Sequence, residues 1–317
     1  MYLDTEINTN NSEKWGYWKQ WEAHRNMLMK LINDNVIGIH ENRDSIAVFG
    51  AGECDDIDLS FLTSHFNEVY LIDIDIQAME NGKKNQKLTD LEDHKVAIIG
   101  GFDFAGISKQ FYMKLEELLS KNQPLDTIAR FIREEAEQLK MPDDLDALKN
   151  KFSAVLSAGV HSQICNGSYG IFGKYYKGYN EREIKLIEEE LKYLYTQAVK
   201  VYNDLLLYVA KADASLLLAF DMIEISEESG MLEYVPVIEE AIAKVDNAAN
   251  TSLIEQHGVL GSREGRIDIN SRINLENFSE YLDEGQIIQN YWVWPFDNQR
   301  AYMICAYTIH LSILKKN

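Results

Sequence analysis

The residues of this chain best suited to chemistry fall in one stretch, SIAVFGAGECDDIDLSFLTSHFNEVYLIDID, from Ser45 to Asp75. An apolar strand enters a turn carrying Gly50 and Gly52, a helix opens near Asp55, and a second apolar strand ends in Asp73. The glycines let backbone approach a ligand closely, and the start of a helix presents unpaired amides to it. Asp73 follows Gly52 by 21 residues, close to the spacing of about 20 that sets a carboxylate on the hydroxyl pair of a ribose. The structural alternative is a ligand-free strand-to-helix turn, with Asp73 capping the next helix. At least two of Asp55, Asp56 and Asp58 are expected to serve as N-cap and first-turn residues.

Other candidates sit at later strand ends. GGFDFAG carries Asp103 and Phe104, where a helix cap is the structural alternative. LSAGVHSQICNG carries His161, the best candidate general base, because a neutral imidazole takes a proton at physiological pH. LLLAFDMIEIS brings Asp221 and Glu224 to the sheet's carboxyl edge, where they could hold an amine or accept its proton. His161 and Asp221 are thus the catalytic candidates. Ahead of the first strand, Trp15, Tyr17, Trp18 and Trp21, followed by His24 and Arg25, suit a lid over a ligand mouth, although docking on the body of the protein fits equally. Trp18, Trp21, Arg25 and Glu224 are the substrate or lid candidates. In the run NYWVWPFDNQRAY, Trp292 and Trp294 are expected to pack the core.

The elements that must position these residues follow from apolar periodicity. Strands are predicted at Ile46–Phe49, Val69–Ile72, Val96–Ile99, Ala154–Leu156 and Leu216–Phe220, more weakly at Ile267–Ile269, and as a closing hairpin of Tyr291–Trp294 with Met303–Tyr307. Helical spacing covers about 12–39, the insertion at about 105–150, and a long amphipathic helix with Ile184, Ile187, Leu191, Leu194 and Val201 on one stripe. Such alternation predicts an α/β fold with a doubly wound, mostly parallel Rossmann-like sheet, a C-terminal antiparallel hairpin and helical insertions. Ligands of such sheets bind at the carboxyl ends of the strands. The expected organisation is an N-terminal helical lid over 1–44 and an α/β domain over 45–317.

The unit from Ser45 to Asp103 resembles the cofactor half of the class I S-adenosylmethionine-dependent methyltransferases, whose first turn is usually GxGxG after an acid two residues upstream. Gly50, Ala51 and Gly52 match, whereas Val48 stands at the acid position and Cys54 at the third glycine. The resemblance implies S-adenosylmethionine as cofactor, held by Gly50, Ala51, Gly52, Glu53, Asp73, Ile74, Asp103, Phe104, Ser157 and Ala158. Within it, Asp103 takes the position that contacts the adenine amino group, and Ser157 to His161 the methionine end. The dinucleotide pattern GxGxxG fits worse, since its third glycine falls on Asp55, where a carboxylate would face a pyrophosphate. No NPPY or DPPY follows the fourth strand, and no metal cluster of the catechol type is present, so no metal is expected.

Composition narrows the partners. The 317 residues carry a formal net charge of −20, with a pI near 4.8, and no basic patch, which disfavours nucleic acid and anionic membrane surfaces. Cys54, Cys165 and Cys305 show no CxxC spacing, which suits a reduced cytoplasmic setting. The first residues, MYLDTEINTN, have no basic start and apolar run, and no stretch reaches the ~18 apolar residues of a membrane span. Methyl transfer to a small molecule or protein side chain is the leading expectation, with a homodimer left open. The alternatives are an aminopropyl-type transferase on a polyamine, and a non-catalytic module that keeps the fold for binding or scaffolding.

Overall fold

The computed structural model describes residues 17–38, 43–101, 103–143, 145–244, 247–272 and 287–312. Strands β1 (Ser45–Phe49), β2 (Glu68–Asp73), β3 (Val96–Gly100), β4 (Phe152–Ala158) and β5 (Ala210–Ile225) run parallel, and β6 (Ile287–Pro295) with β7 (Ala301–His310) closes the sheet as an antiparallel hairpin. The strand order is β3-β2-β1-β4-β5-β7-β6. This is the doubly wound, mostly parallel Rossmann-like sheet that the alternating pattern predicts. All five residues of β1 are buried, because helices cover both faces, and the sequence accordingly reads as an unbroken apolar run.

Helix α1 (Glu22–Ile32) precedes the sheet and buries Leu28 and Ile32 completely in a cluster with Ile46, Trp292 and Trp294. Each such side chain contributes about 1.5–3 kcal/mol of burial, which docks the segment firmly. Helix α2 (Leu59–His65) follows β1, α3 (Ile76–Asn85) follows β2, and a single turn, α4 (Asp90–Asp93), leads into β3. Helices α5 (Lys109–Ser120) and α6 (Leu125–Gln138) form the insertion expected at about 105–150. They pack with α7 (Asn166–Tyr175) and the first half of α8 (Glu181–Val209) in a cluster that includes Leu115, Ile128, Ile132, Ile187 and Leu191.

Helix α8 is 29 residues long, about 44 Å at 1.5 Å per residue. Its later residues Tyr202, Leu205, Leu206 and Val209 turn the same stripe onto the sheet. Asn180 starts it with a capping box closed by Glu183. Three further helices follow β5, namely α9 (Val235–Ala243), α10 (Asn247–His257) and α11 (Leu260–Arg272).

Helix α11 overturns the strand expected at Ile267–Ile269. The alternation of two isoleucines is too short to fix a period. The residues that decide are Gly261, Ser262, Gly265, Arg266 and Ile269, all buried at helical spacing, while Ile267 faces out. A Cβ on Gly265 would come within 2.3 Å of the His161 ring, so the small residues let α11 lie directly on the loop after β4. Strand β5 also runs well beyond the predicted Leu216–Phe220, since β4 and β7 pair with it on either side.

Candidate active site

The chain turns one way from β1 through β2 to β3 and the other way from β4 to β5, so the loops after β1 and β4 separate at the sheet's carboxyl edge. A cleft of about 270 Å³ opens there. Its inner wall is the β1 turn from Gly50 to Cys54, with Asp73 and Ile74 after β2, Asp103 and Phe104 after β3, and Ala158 to Val160 after β4.

Within the turn, Gly50 and Gly52 have φ of 71° and 46°, the left-handed region that glycine adopts without strain. A Cβ on Gly50 would strike Val160 at 2.3 Å, whereas one on Gly52 would meet nothing within 4 Å. Gly50 therefore serves packing and Gly52 borders open space. Cys54 has φ of 58°. It keeps the conformation of the missing third glycine despite its side chain, which is buried, and burial pushes its thiol pKa well up. Gln86, the C-cap of α3, ties the following loop: its amide donates to the carbonyls of Cys54 (2.9 Å) and Ile57 (3.0 Å) and accepts from the Leu59 amide (2.8 Å).

Asp73 is half-buried in the wall. Its Oδ2 accepts the Gly52 amide at 3.0 Å and its Oδ1 the Asp75 amide at 2.9 Å. Asp75, not Asp73, caps α3, accepting the Ala78 amide at 3.0 Å. The capping alternative for Asp73 therefore falls. On the loop after β1 the expectation that at least two of Asp55, Asp56 and Asp58 cap or start the helix fails: α2 opens at Leu59 and not near Asp55, Asp58 alone of the three caps it, through the Phe61 amide, and Asp55 and Asp56 lie ahead of it and line the cleft. Asp103 accepts the Ala105 amide at 2.7 Å, and burial raises its pKa from 3.8 to about 6. Phe104 stacks on Tyr202 at 5.6 Å.

Not every candidate reaches this cleft. Ser157 is fully buried and shares a 2.7 Å hydrogen bond with the Tyr202 hydroxyl. His161 is 1% exposed, with Nε2 2.9 Å from the Asn203 side-chain oxygen. Burial lowers its pKa to about 4. It is a neutral ring wedged under α11, and a general base there has no route to a substrate in the cleft. Asp221 is also buried, accepting from Ser162 (2.5 Å) and Ser262 (2.8 Å), so it brackets the β4 loop to α11. Burial raises its pKa to about 6. Glu224 accepts from Ser226 (2.8 Å) and Tyr302 (3.4 Å) and does not line the cleft.

Of the N-terminal aromatics, Trp15 lies outside the described residues, and Trp21 lines the cleft. Its indole donates to the Phe296 carbonyl at 2.7 Å. Arg25 is buried, lies 3.5 Å over the Trp18 ring and donates from Nη1 to the carbonyls of Trp18 and Asp55, each at 2.8 Å. Trp18 and Arg25 thus tie the start of α1 to the loop after β1 without lining the cleft. Trp294 and Phe296 do line it, contrary to the expectation that Trp294 only packs the core, while Trp292 packs inward and donates to His24 at 3.0 Å. Sequence reasoning also passed over Tyr112 from the insertion and Gln163 and Asn166 from the β4 loop.

No Lys or Arg among the described residues lines the cleft, and none of their His, Cys, Asp and Glu side chains are grouped to hold a metal ion. No helix among them is long and apolar enough to cross a membrane.

No family model matches the chain, and no curated protein matches it. Solved structures that do match include the Haloferax volcanii complex of the Trm112 methyltransferase activator with a provisionally assigned methyltransferase, at 9% identity and TM-score 0.37, covering 73% of this chain and 64% of that one. The methyltransferase domain of bacterial CtHen1 matches at 8% identity and TM-score 0.36, over 92% of this chain and 99% of that one. The glycopeptide N-methyltransferase MtfA, solved with S-adenosyl-L-methionine, matches at 7% identity and TM-score 0.29, over 63% of this chain and 56% of that one. What the cleft can hold is decided by its own residues.

Proposed function

We propose that the cleft binds S-adenosylmethionine and that the protein transfers its methyl group to a small molecule or a protein side chain. The observation that carries this reading is Asp73: a strand-end carboxylate at the fork of the sheet, held in the cleft wall by the Gly52 amide and not used as a helix cap. Its two oxygens offer about four lone-pair sites, more than the backbone amides of Gly52, Ile74 and Asp75 use, which suits the hydroxyls of a ribose.

The donor set fits this cofactor and disfavours a dinucleotide. Glu53, Asp55, Asp56, Asp73 and Asp103 line the cleft with no cationic side chain among the described lining residues. A pyrophosphate would meet repulsion there, while a sulfonium and an ammonium are attracted. Gly50 to Gly52 allow close backbone approach, Asp73 would hold the ribose, and Asp103 would accept from the adenine amino group beside Phe104. Bound in this way, the cofactor supplies a methyl group already activated on a sulfonium. The protein then has to orient the acceptor and exclude water, so no buried triad is required. Neither Asp221 nor Glu224 lines the cleft, so the acid pair on which a polyamine aminopropyl transferase would have rested does not face it. The left-handed backbone at Cys54 means that this departure from the glycine pattern leaves the turn's shape intact.

Thermal unfolding tests the reading. The midpoint should rise with the logarithm of added S-adenosylmethionine or S-adenosylhomocysteine and stay constant with NAD. A rise with NAD alone would overturn it.

A further inference from the structure

The outer part of the cleft is built of rings. Trp21 meets Trp294 edge-on at 4.7 Å and 81°, and Trp294 meets Phe296 at 4.9 Å and 80°, so the three line the cleft as a corner and not as a parallel stack. This corner abuts the acidic loop after β1. Arg25 lies one helical turn beyond Trp21, accepts nothing, and donates to the Asp55 carbonyl, which holds the loop bearing Asp55 and Asp56 against the start of α1. Its guanidinium does not line the cleft, but it interacts electrostatically with Asp58, Glu22, Asp55 and Asp56 and so offsets part of the negative charge there, leaving the three lining carboxylates in excess over one cation. Glu53, Asp55 and Asp56 therefore give the cleft a negative potential next to an aromatic corner.

Aromatic rings attract a cation through their quadrupole, best when it has left water, and nearby carboxylates add to that attraction. A neutral apolar acceptor would gain from the rings alone. An anionic acceptor would be repelled by the loop. Resting on the methyl-transfer reading above, we propose that the acceptor is an amine that binds as its ammonium ion, recognised by Trp21, Trp294 and Phe296 together with the carboxylates of Glu53, Asp55 and Asp56. One of these carboxylates then takes the ammonium proton, and the freed nitrogen lone pair forms the bond to the methyl carbon as the carbon–sulfur bond breaks and S-adenosylhomocysteine leaves.

The test is calorimetry on the intact protein saturated with S-adenosylhomocysteine, comparing choline with 3,3-dimethylbutan-1-ol, in which carbon replaces the charged nitrogen. Choline should bind at least tenfold more tightly. Trp294→Leu, and separately Asp55→Asn with Asp56→Asn, should cut that preference to threefold or less, read in each variant as the ratio of choline to carbon-analogue affinity at saturating S-adenosylhomocysteine. Phe296→Leu gives a second ring variant should Trp294→Leu fail to fold. A short peptide carrying trimethyllysine separates the two sources of the amine: tighter binding than choline assigns a protein side chain, weaker binding a free amine. Equal binding of choline and its carbon analogue, or binding of neither while S-adenosylhomocysteine binds normally, would overturn the proposal. Failure of S-adenosylhomocysteine to bind would instead overturn the methyl-transfer reading, and the choline preference, measured without it, would still decide the amine.

Discussion

Asp221 offers a quantitative test of whether a buried strand-end acid is a base or a bracket. Burial moves its pKa from 3.8 to about 6 while the hydroxyls of Ser162 and Ser262 pull it back. The folded-state value lies above the unfolded one. Its contribution to stability is therefore fully present below about pH 4 and is lost as the pH rises through about 6. A shift of about two units is worth roughly 3 kcal/mol at 1.36 kcal/mol per unit. Asp221→Asn removes this titration and keeps a side chain that both serines can still bond. Urea unfolding of both proteins from pH 4 to pH 7.5 should show the wild type losing about 3 kcal/mol relative to the variant across that window. Nucleoside affinity should be unchanged, because Asp221 does not line the cleft. A stability difference independent of pH would refute the burial argument, and loss of binding would return Asp221 to the site.

Two further outcomes follow from the turn. With φ of 46° at Gly52, Gly52→Val should destabilise by about 1–2 kcal/mol from left-handed strain alone, whereas Gly52→Asn, which tolerates that backbone, should fold near normally and still lose nucleoside binding by calorimetry because its side chain enters the cleft. Gln86→Ala leaves the Cys54 and Ile57 carbonyls without their donor. It should cost about 1–3 kcal/mol in urea unfolding, with faster hydrogen exchange confined to residues 54–59.

The sheet and the first turn were legible because their signals are local. β1 and β2 are apolar runs, Gly52 and Asp73 keep a fixed spacing along one unit, and α8 repeats its stripe over many turns. Ile267–Ile269 was misread because two alternating residues carry no period, while the glycines that seat α11 act through their contact with His161. His161 and Asp221 look catalytic in sequence since a strand-end acid or histidine has the same local pattern whether it faces a cleft or a core. Their partners, Asn203, Ser162 and Ser262, lie 41 to 59 residues away. Trp294 and Phe296 enter the site only because the antiparallel hairpin brings them to Trp21, 275 residues from Phe296, a proximity that no local pattern encodes.

The central claim is that Asp73 holds the ribose of an adenosyl cofactor in this cleft. Calorimetric titration of S-adenosylhomocysteine into wild type and Asp73→Asn tests it most directly, because asparagine can still accept the Gly52 amide through its one oxygen while surrendering the charge and the bond from the Asp75 amide. Losing charge-assisted hydrogen bonds of about 1.5–3 kcal/mol each predicts one-site binding to the wild type and at least a tenfold loss in the variant, which still folds but is destabilised by about 1–3 kcal/mol through the unpaired Asp75 amide. Equal affinity in the two proteins, or no binding to the wild type, would contradict the account.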